Sequence, residues 1–135
     1  MEHNLTKEEI RLIQESWNTM TSKSKSTGEK FYNNLFGKHP EMAELFKGEI
    51  KEQSGALMRM VKTVVEGLNN PQIIIPAIQQ LGRRHGEYGV KDEYYKEFGI
   101  ILIDTIGAEL GNDFDAKTKT AWEKLYETLA DVMMN

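Results

Sequence analysis

Three histidines, five tyrosines and no cysteine bound the chemistry open to this chain. One histidine is well placed to take part in it. His85 follows Ile78 and Leu81 at steps of three and four residues, so one face of one helix carries two aliphatic side chains and then an imidazole. Arg83, Arg84 and Glu87 point elsewhere, and Gly89 offers a helix stop. An imidazole at the end of an apolar stripe can hold a buried metal from one side. The same spacing also suits a core histidine bonded to a carbonyl or to water.

Other chemistries lack their motifs. There is no Gly-x-Gly-x-x-Gly, no phosphate-binding loop, no His-Glu-x-x-His and no Gly-x-Ser-x-Gly. None of the three histidines has a glutamate three residues before it, which removes the di-iron bundle pattern. Without cysteine there are no disulfides, thiolate zinc sites, iron–sulfur clusters or thiol nucleophiles.

The elements that must position His85 are helices throughout. Thr6-Lys7-Glu8-Glu9 is a capping box, followed by a stripe of Ile10, Ile13, Trp17 and Met20 in a helix reaching about Ser22. A second helix spans about Gly28 to Lys38, with Phe31, Tyr32, Leu35 and Phe36 inward. His39-Pro40 turns the chain into a short helix ending near Phe46. After a polar corner at Lys47-Gly48-Glu49, one face collects Gln53, Leu57, Met60, Val61, Val64, Val65 and Leu68. Asn69-Asn70-Pro71 ends that helix. Ile73 to Tyr88 carries His85, and Pro76 is expected to mark a break or restart. Lys91 to about Leu110 places Tyr95, Phe98, Leu102 and Ile106 in phase. Gly111-Asn112-Asp113 is a turn, and the last helix runs from about Asp115 on Trp122, Leu125, Tyr126, Leu129 and Val132. No segment alternates like a strand. About seven helices with short links predict an all-α fold.

Length and composition agree with one globular domain, residues 1–135, at 39% hydrophobic and 28% charged. A net charge of -4 with no long basic patch argues against nucleic acid as a partner. The polar start lacks a signal-peptide core, and no apolar run reaches membrane-spanning length, so a cytoplasmic setting is expected.

Three stretches carry a family resemblance: Phe31 through Phe46, Glu52 through Met58, and Leu81 through Tyr95. Pro40 and Phe46, six apart and followed by a helix and a single downstream histidine, form its most specific pattern. The chain resembles a globin, in particular the bacterial single-domain haemoglobins related to the haem domain of flavohaemoglobins. The resemblance covers about Leu5 to Met134. It implies a globin fold, helices crossing at roughly 50° around one b-type haem, iron protoporphyrin IX.

The resemblance also implies roles. His85 matches the proximal histidine that holds haem iron. Phe46 matches the aromatic packed on the haem face, and a plain core phenylalanine would be buried too. Leu57 matches the distal apolar cover. Gln53 matches the distal polar position one turn earlier, where spacing alone equally suits a solvated glutamine. Tyr32 matches the distal tyrosine whose hydroxyl reaches a bound gas; from spacing alone it is a core aromatic. Tyr95 matches a tyrosine beside the proximal imidazole. Lys51, Arg83 and Arg84 are candidates for pairing with haem propionates, or ordinary surface charge. His3 and His39 fit surface or capping positions, and Met58 and Met60 fit packing.

Two departures from the family stand out. Flavohaemoglobins continue into a flavin- and nicotinamide-binding reductase, whereas this sequence stops at Asn135. They also place a glutamate near the end of the last helix, where this chain reads Val132-Met133-Met134-Asn135. A carboxylate there would make the axial imidazole more basic, so its loss weakens the expectation of peroxidase-like or rapid dioxygenase chemistry. The implied function is reversible binding of O2 and other diatomic gases, nitric oxide and carbon monoxide among them, for oxygen binding or delivery. The alternatives are a nitric oxide dioxygenase served by an external reductase, a haem-based sensor acting through a partner, and a globin-like domain without haem.

Overall fold

The computed structural model describes residues 5–23, 25–46, 48–87 and 90–134. Expectations at His3, Lys47, Tyr88 and Gly89 lie outside them. Six α-helices run in order: α1 Lys7–Lys23, α2 Thr27–Lys38, α3 Ile50–Glu66, α4 Pro71–Glu87, α5 Asp92–Leu110 and α6 Ala116–Met134. Short 3-10 helices occupy Pro40–Leu45 and Gly111–Asp113. There is no strand among the described residues, in agreement with the all-α expectation.

Local rules explain most of the boundaries. The capping box is complete: Glu9 N–H donates to Thr6 Oγ1 at 3.1 Å, and Thr6 N–H donates to Glu9 Oε1 at 3.0 Å. Asp115 starts α6 by accepting the Thr118 N–H at 2.8 Å. The expectation at Pro76 fails. Helix α4 begins two residues earlier than expected, at Pro71, and runs straight through Pro76. Proline deletes one hydrogen bond to the carbonyl four residues back. Here that carbonyl belongs to exposed Gln72 and the ring itself is exposed, so water can satisfy the group and packing holds the helix together.

The core has two parts joined by α5. The larger gathers Ile13, Trp17 and Met20 of α1 with Val64, Val65, Ile78, Ile106, Trp122 and Leu125. A buried polar link crosses it, with Trp122 Nε1–H donating to Ser16 Oγ at 2.9 Å. The smaller gathers Phe31, Tyr32 and Leu35 of α2 with Met42 and Ile101. Leu102 packs against both.

Helix α4 lies directly on the end of α6. A methyl group added at Gly82 would fall 2.2 Å from the Met133 carbonyl oxygen, so only glycine permits this approach. Gly82 is one turn before His85, and this contact fixes the helix that presents the imidazole. Gly82→Ala is expected to force α6 away and lower stability by about 1–3 kcal/mol, as overpacking against backbone does. Urea unfolding measures it; an unchanged midpoint would mean that the two helices part without cost.

Candidate functional site

The smaller core holds three of the residues singled out from sequence. Tyr32, on α2, is 4% exposed. Its ring meets Phe46 edge-on at 5.3 Å and Phe31 edge-on at 4.9 Å, and it lies tilted against Phe36 at 5.7 Å. Phe46 and Leu57 are both half-buried against this cluster. Gln53 is half-buried one helical turn before Leu57. The start of α3 is held close to α2 because Gly28 has no side chain: a methyl there would sit 2.9 Å from both Ser54 Cβ and the Ser54 carbonyl.

The Tyr32 hydroxyl bonds to no other described residue. No fully buried side-chain polar atom lacks a partner among the described residues, so this hydroxyl is not sealed in. Burial pushes its pKa up to about 12. It is therefore a neutral donor near pH 7, in an apolar setting where an unmade hydrogen bond is costly.

His85 sits near the end of α4, half-buried. Its Nδ1 lies 3.4 Å from the Tyr95 hydroxyl, with the rings 6.1 Å apart. Burial, and then the positive charge of Arg84, lower the imidazole pKa and favour its neutral form. A neutral imidazole with one nitrogen turned to a hydroxyl keeps the other available as a metal ligand. Tyr95 is buried, and burial followed by the nearby Asp92 charge raises its pKa.

Helix α5 joins the two halves. Tyr95 meets His85, and one turn later Phe98 meets Phe31 edge-on at 4.6 Å, within the Tyr32 cluster. The sequence places Tyr126 on the inward stripe of the last helix. In the structure its hydroxyl donates to the Tyr95 carbonyl at 2.5 Å, and its ring fills the space over Gly99. Helical periodicity signals only that Tyr126 is inward, and the partner of its hydroxyl depends on how α6 crosses α5.

The remaining candidates are peripheral. Lys51, Arg83 and Arg84 are exposed. His39 caps no helix through its side chain; its ring instead bridges Glu41 at 3.3 Å and Glu97 at 3.2 Å, tying the 3-10 corner to α5. A groove of about 490 Å³ runs between α5 and α6. Tyr95 forms part of its wall, but none of Tyr32, Phe46, Gln53, Leu57 or His85 lines it, so it is separate from the candidate site. No group of three or more histidine or carboxylate side chains is set to hold a metal ion among the described residues.

A sequence model of the globin family matches residues 29–133. The chain belongs to the globin family. This globin is 29% identical over 133 residues to a flavohemoprotein of Bacillus subtilis (strain 168), which covers 96% of the chain but 32% of that protein. It thus spans about a third of the length of the curated relatives it matches. Among solved structures, a bacterial globin from Campylobacter jejuni superposes with a TM-score of 0.81 at 26% identity, covering 93% of this chain and 91% of that one. A hexacoordinated heme protein from an anhydrobiotic tardigrade superposes at 0.87 with 18% identity, covering 97% and 94%, a likeness of fold alone. No helix of this globin is long and apolar enough to cross a membrane among the described residues.

Proposed function

We propose that this globin holds b-type haem through His85 and reversibly binds O2 and other diatomic gases in front of Tyr32. The donor set fits that group. His85 offers one neutral imidazole nitrogen, and Tyr32 offers a protonated hydroxyl without a partner among the described residues. When bound, the haem supplies a ferrous iron able to take up a diatomic gas.

The chain's own residues do the rest. With the proton on Nδ1, His85 would donate to the Tyr95 hydroxyl 3.4 Å away, which would fix the ring orientation and leave Nε2 to hold the iron. Tyr126 holds the Tyr95 backbone in register through its carbonyl. Phe46, Leu57 and the aromatic cluster surround the Tyr32 ring with apolar side chains, a setting that strengthens polar contacts made within it. Tyr32, assisted by Gln53, donates to the gas. Lys51, Arg83 and Arg84, all exposed, remain available to the propionates.

The observation that carries this reading is His85, an imidazole kept neutral by burial with its Nδ1 turned to a buried tyrosine. The ferrous protein without added ligand is expected to be five-coordinate, because Gln53 stands at the distal polar position and an amide is a poor ligand for ferrous iron. A single broad visible band is the expected result. Sharp, split bands in the unliganded ferrous form would contradict it.

A second reading, nitric oxide dioxygenation, is favoured by the likeness to a flavohemoprotein. These 135 residues carry no flavin or nicotinamide motif, and in this reading the electrons come from a cytoplasmic reductase outside them. The purified chain given NADH and nitric oxide under O2 is expected to stop after one equivalent, and an added reductase to sustain consumption. Sustained consumption without the reductase would reveal a redox site in the chain itself.

A further inference from the structure

The groove of about 490 Å³ between α5 and α6 shares only Tyr95 with the site described above. Gly99 and Ile103 of α5 and Tyr126 and Ala130 of α6 give it an apolar floor. The Tyr126 hydroxyl is already committed to the Tyr95 carbonyl. Ile100 and Met134 also line it, 47% and 40% exposed. They are two of the four large hydrophobic side chains exposed among the described residues. Apolar surface gathered on one groove and left in water favours a partner that covers it.

Length and charge together select the occupant. The α5 side runs from Asp92 to Asp104 and the α6 side from Lys119 to Met134, about 18 Å and about 22 Å along the helix axes. A recess of that length between two helices suits a third helix, whose apolar side chains recur every three or four residues. Asp92, Asp104, Glu123, Glu127 and Asp131 line the groove against Lys96 and Lys119, and all seven are exposed. The lining is therefore net negative, which favours a helix with lysine or arginine beside its apolar face. The same charge disfavours a second copy of this chain, because two such linings would meet with like sign. A helix seated here would lie against Tyr95, whose hydroxyl is 3.4 Å from His85 Nδ1, and so reach the His85 side of the candidate site.

We propose that the α5–α6 groove is a docking surface for a basic amphipathic helix of another protein. Docking there requires no haem, so it stands or falls apart from the gas-binding reading. The probe is a synthetic peptide of leucine and lysine, about 15 residues and about 22 Å long as a helix, with the leucines on one face. A shuffled peptide of the same composition, and one with glutamate in place of lysine, serve as controls. Titrated into the purified full chain, the probe is expected to bind saturably, one per chain. In NMR it should shift the backbone amides of Gly99, Ile100, Ile103, Glu127 and Ala130 and leave those of Phe31 and Leu35 unmoved. Added salt should weaken it, since the rim charges are exposed. Ile100→Ser and Glu127→Lys are each expected to weaken binding about tenfold. Both side chains are exposed, so the fold is retained. No saturable binding, equal binding of either control, or wild-type affinity in either variant would overturn the docking surface. So would a wild-type chain that dimerises without peptide and becomes monomeric in Ile100→Ser, because the face would then belong to a second copy.

Discussion

His85→Ala is expected to lose the Soret band almost completely while the chain stays helical. His85 is the only described histidine that is half-buried and in contact with a buried tyrosine hydroxyl. Of the other two, His39 is engaged by Glu41 and Glu97 at the 3-10 corner. Removing the imidazole would leave haem held only by apolar contact and by the propionate pairing proposed for Lys51, Arg83 and Arg84. The side chain is near the end of α4 and only half-buried, so its truncation costs little stability and far-UV circular dichroism should be preserved. His3→Ala and His39→Ala should keep the Soret band. Free imidazole added to His85→Ala should restore part of it by occupying the space left behind. Normal haem retention in His85→Ala, without imidazole, would remove the proximal assignment.

Tyr32→Phe is expected to release O2 about tenfold to hundredfold faster than the wild type. The ring is locked by Phe31, Phe36 and Phe46, so the substitution keeps the packing and deletes only the hydroxyl. Burial pushes its pKa up to about 12, so it is protonated, and it has no partner to reorganise among the described residues. A buried hydrogen bond to a partly charged acceptor contributes about 1.5–3 kcal/mol, which gives this range of rates. The effect falls on escape because the bond exists only in the bound state. Carbon monoxide carries little negative charge when bound and should respond far less. Stopped-flow replacement of O2 by carbon monoxide measures the rate; equal rates for Tyr32→Phe and wild type would make Tyr32 a packing residue. Gln53→Leu should act in the same direction and more weakly. The two effects need not add, since the groups can bond to each other.

The sequence exposes what is local and periodic. The Thr6–Glu9 box, the Ile10–Met20 stripe and the Pro40 corner are each set by neighbours in the chain, and each appears as expected. Pro76 misleads because its local rule is overridden by burial of Ile74 and Ile78 on the other face of the same helix. Gly82 carries no local signal of its contact with Met133, which exists only once α4 and α6 cross. The same holds for the Tyr126–Tyr95 bond and for His39 between two glutamates, since both join elements far apart in sequence. At the candidate site, the residue assignments come from family resemblance and stand as proposals. The protonation of Tyr32, the neutrality of His85 and the turn of α5 that connects them depend on burial, which a sequence does not display.

A gas-binding haem held by His85 would show in the absorption spectrum of the purified chain, supplied with haem, reduced, and then exposed to carbon monoxide. A Soret band that sharpens and moves on adding carbon monoxide, with one equivalent of haem per chain, is the predicted result. A chain that takes up no haem, or a ferrous spectrum that carbon monoxide leaves unchanged, would contradict the account.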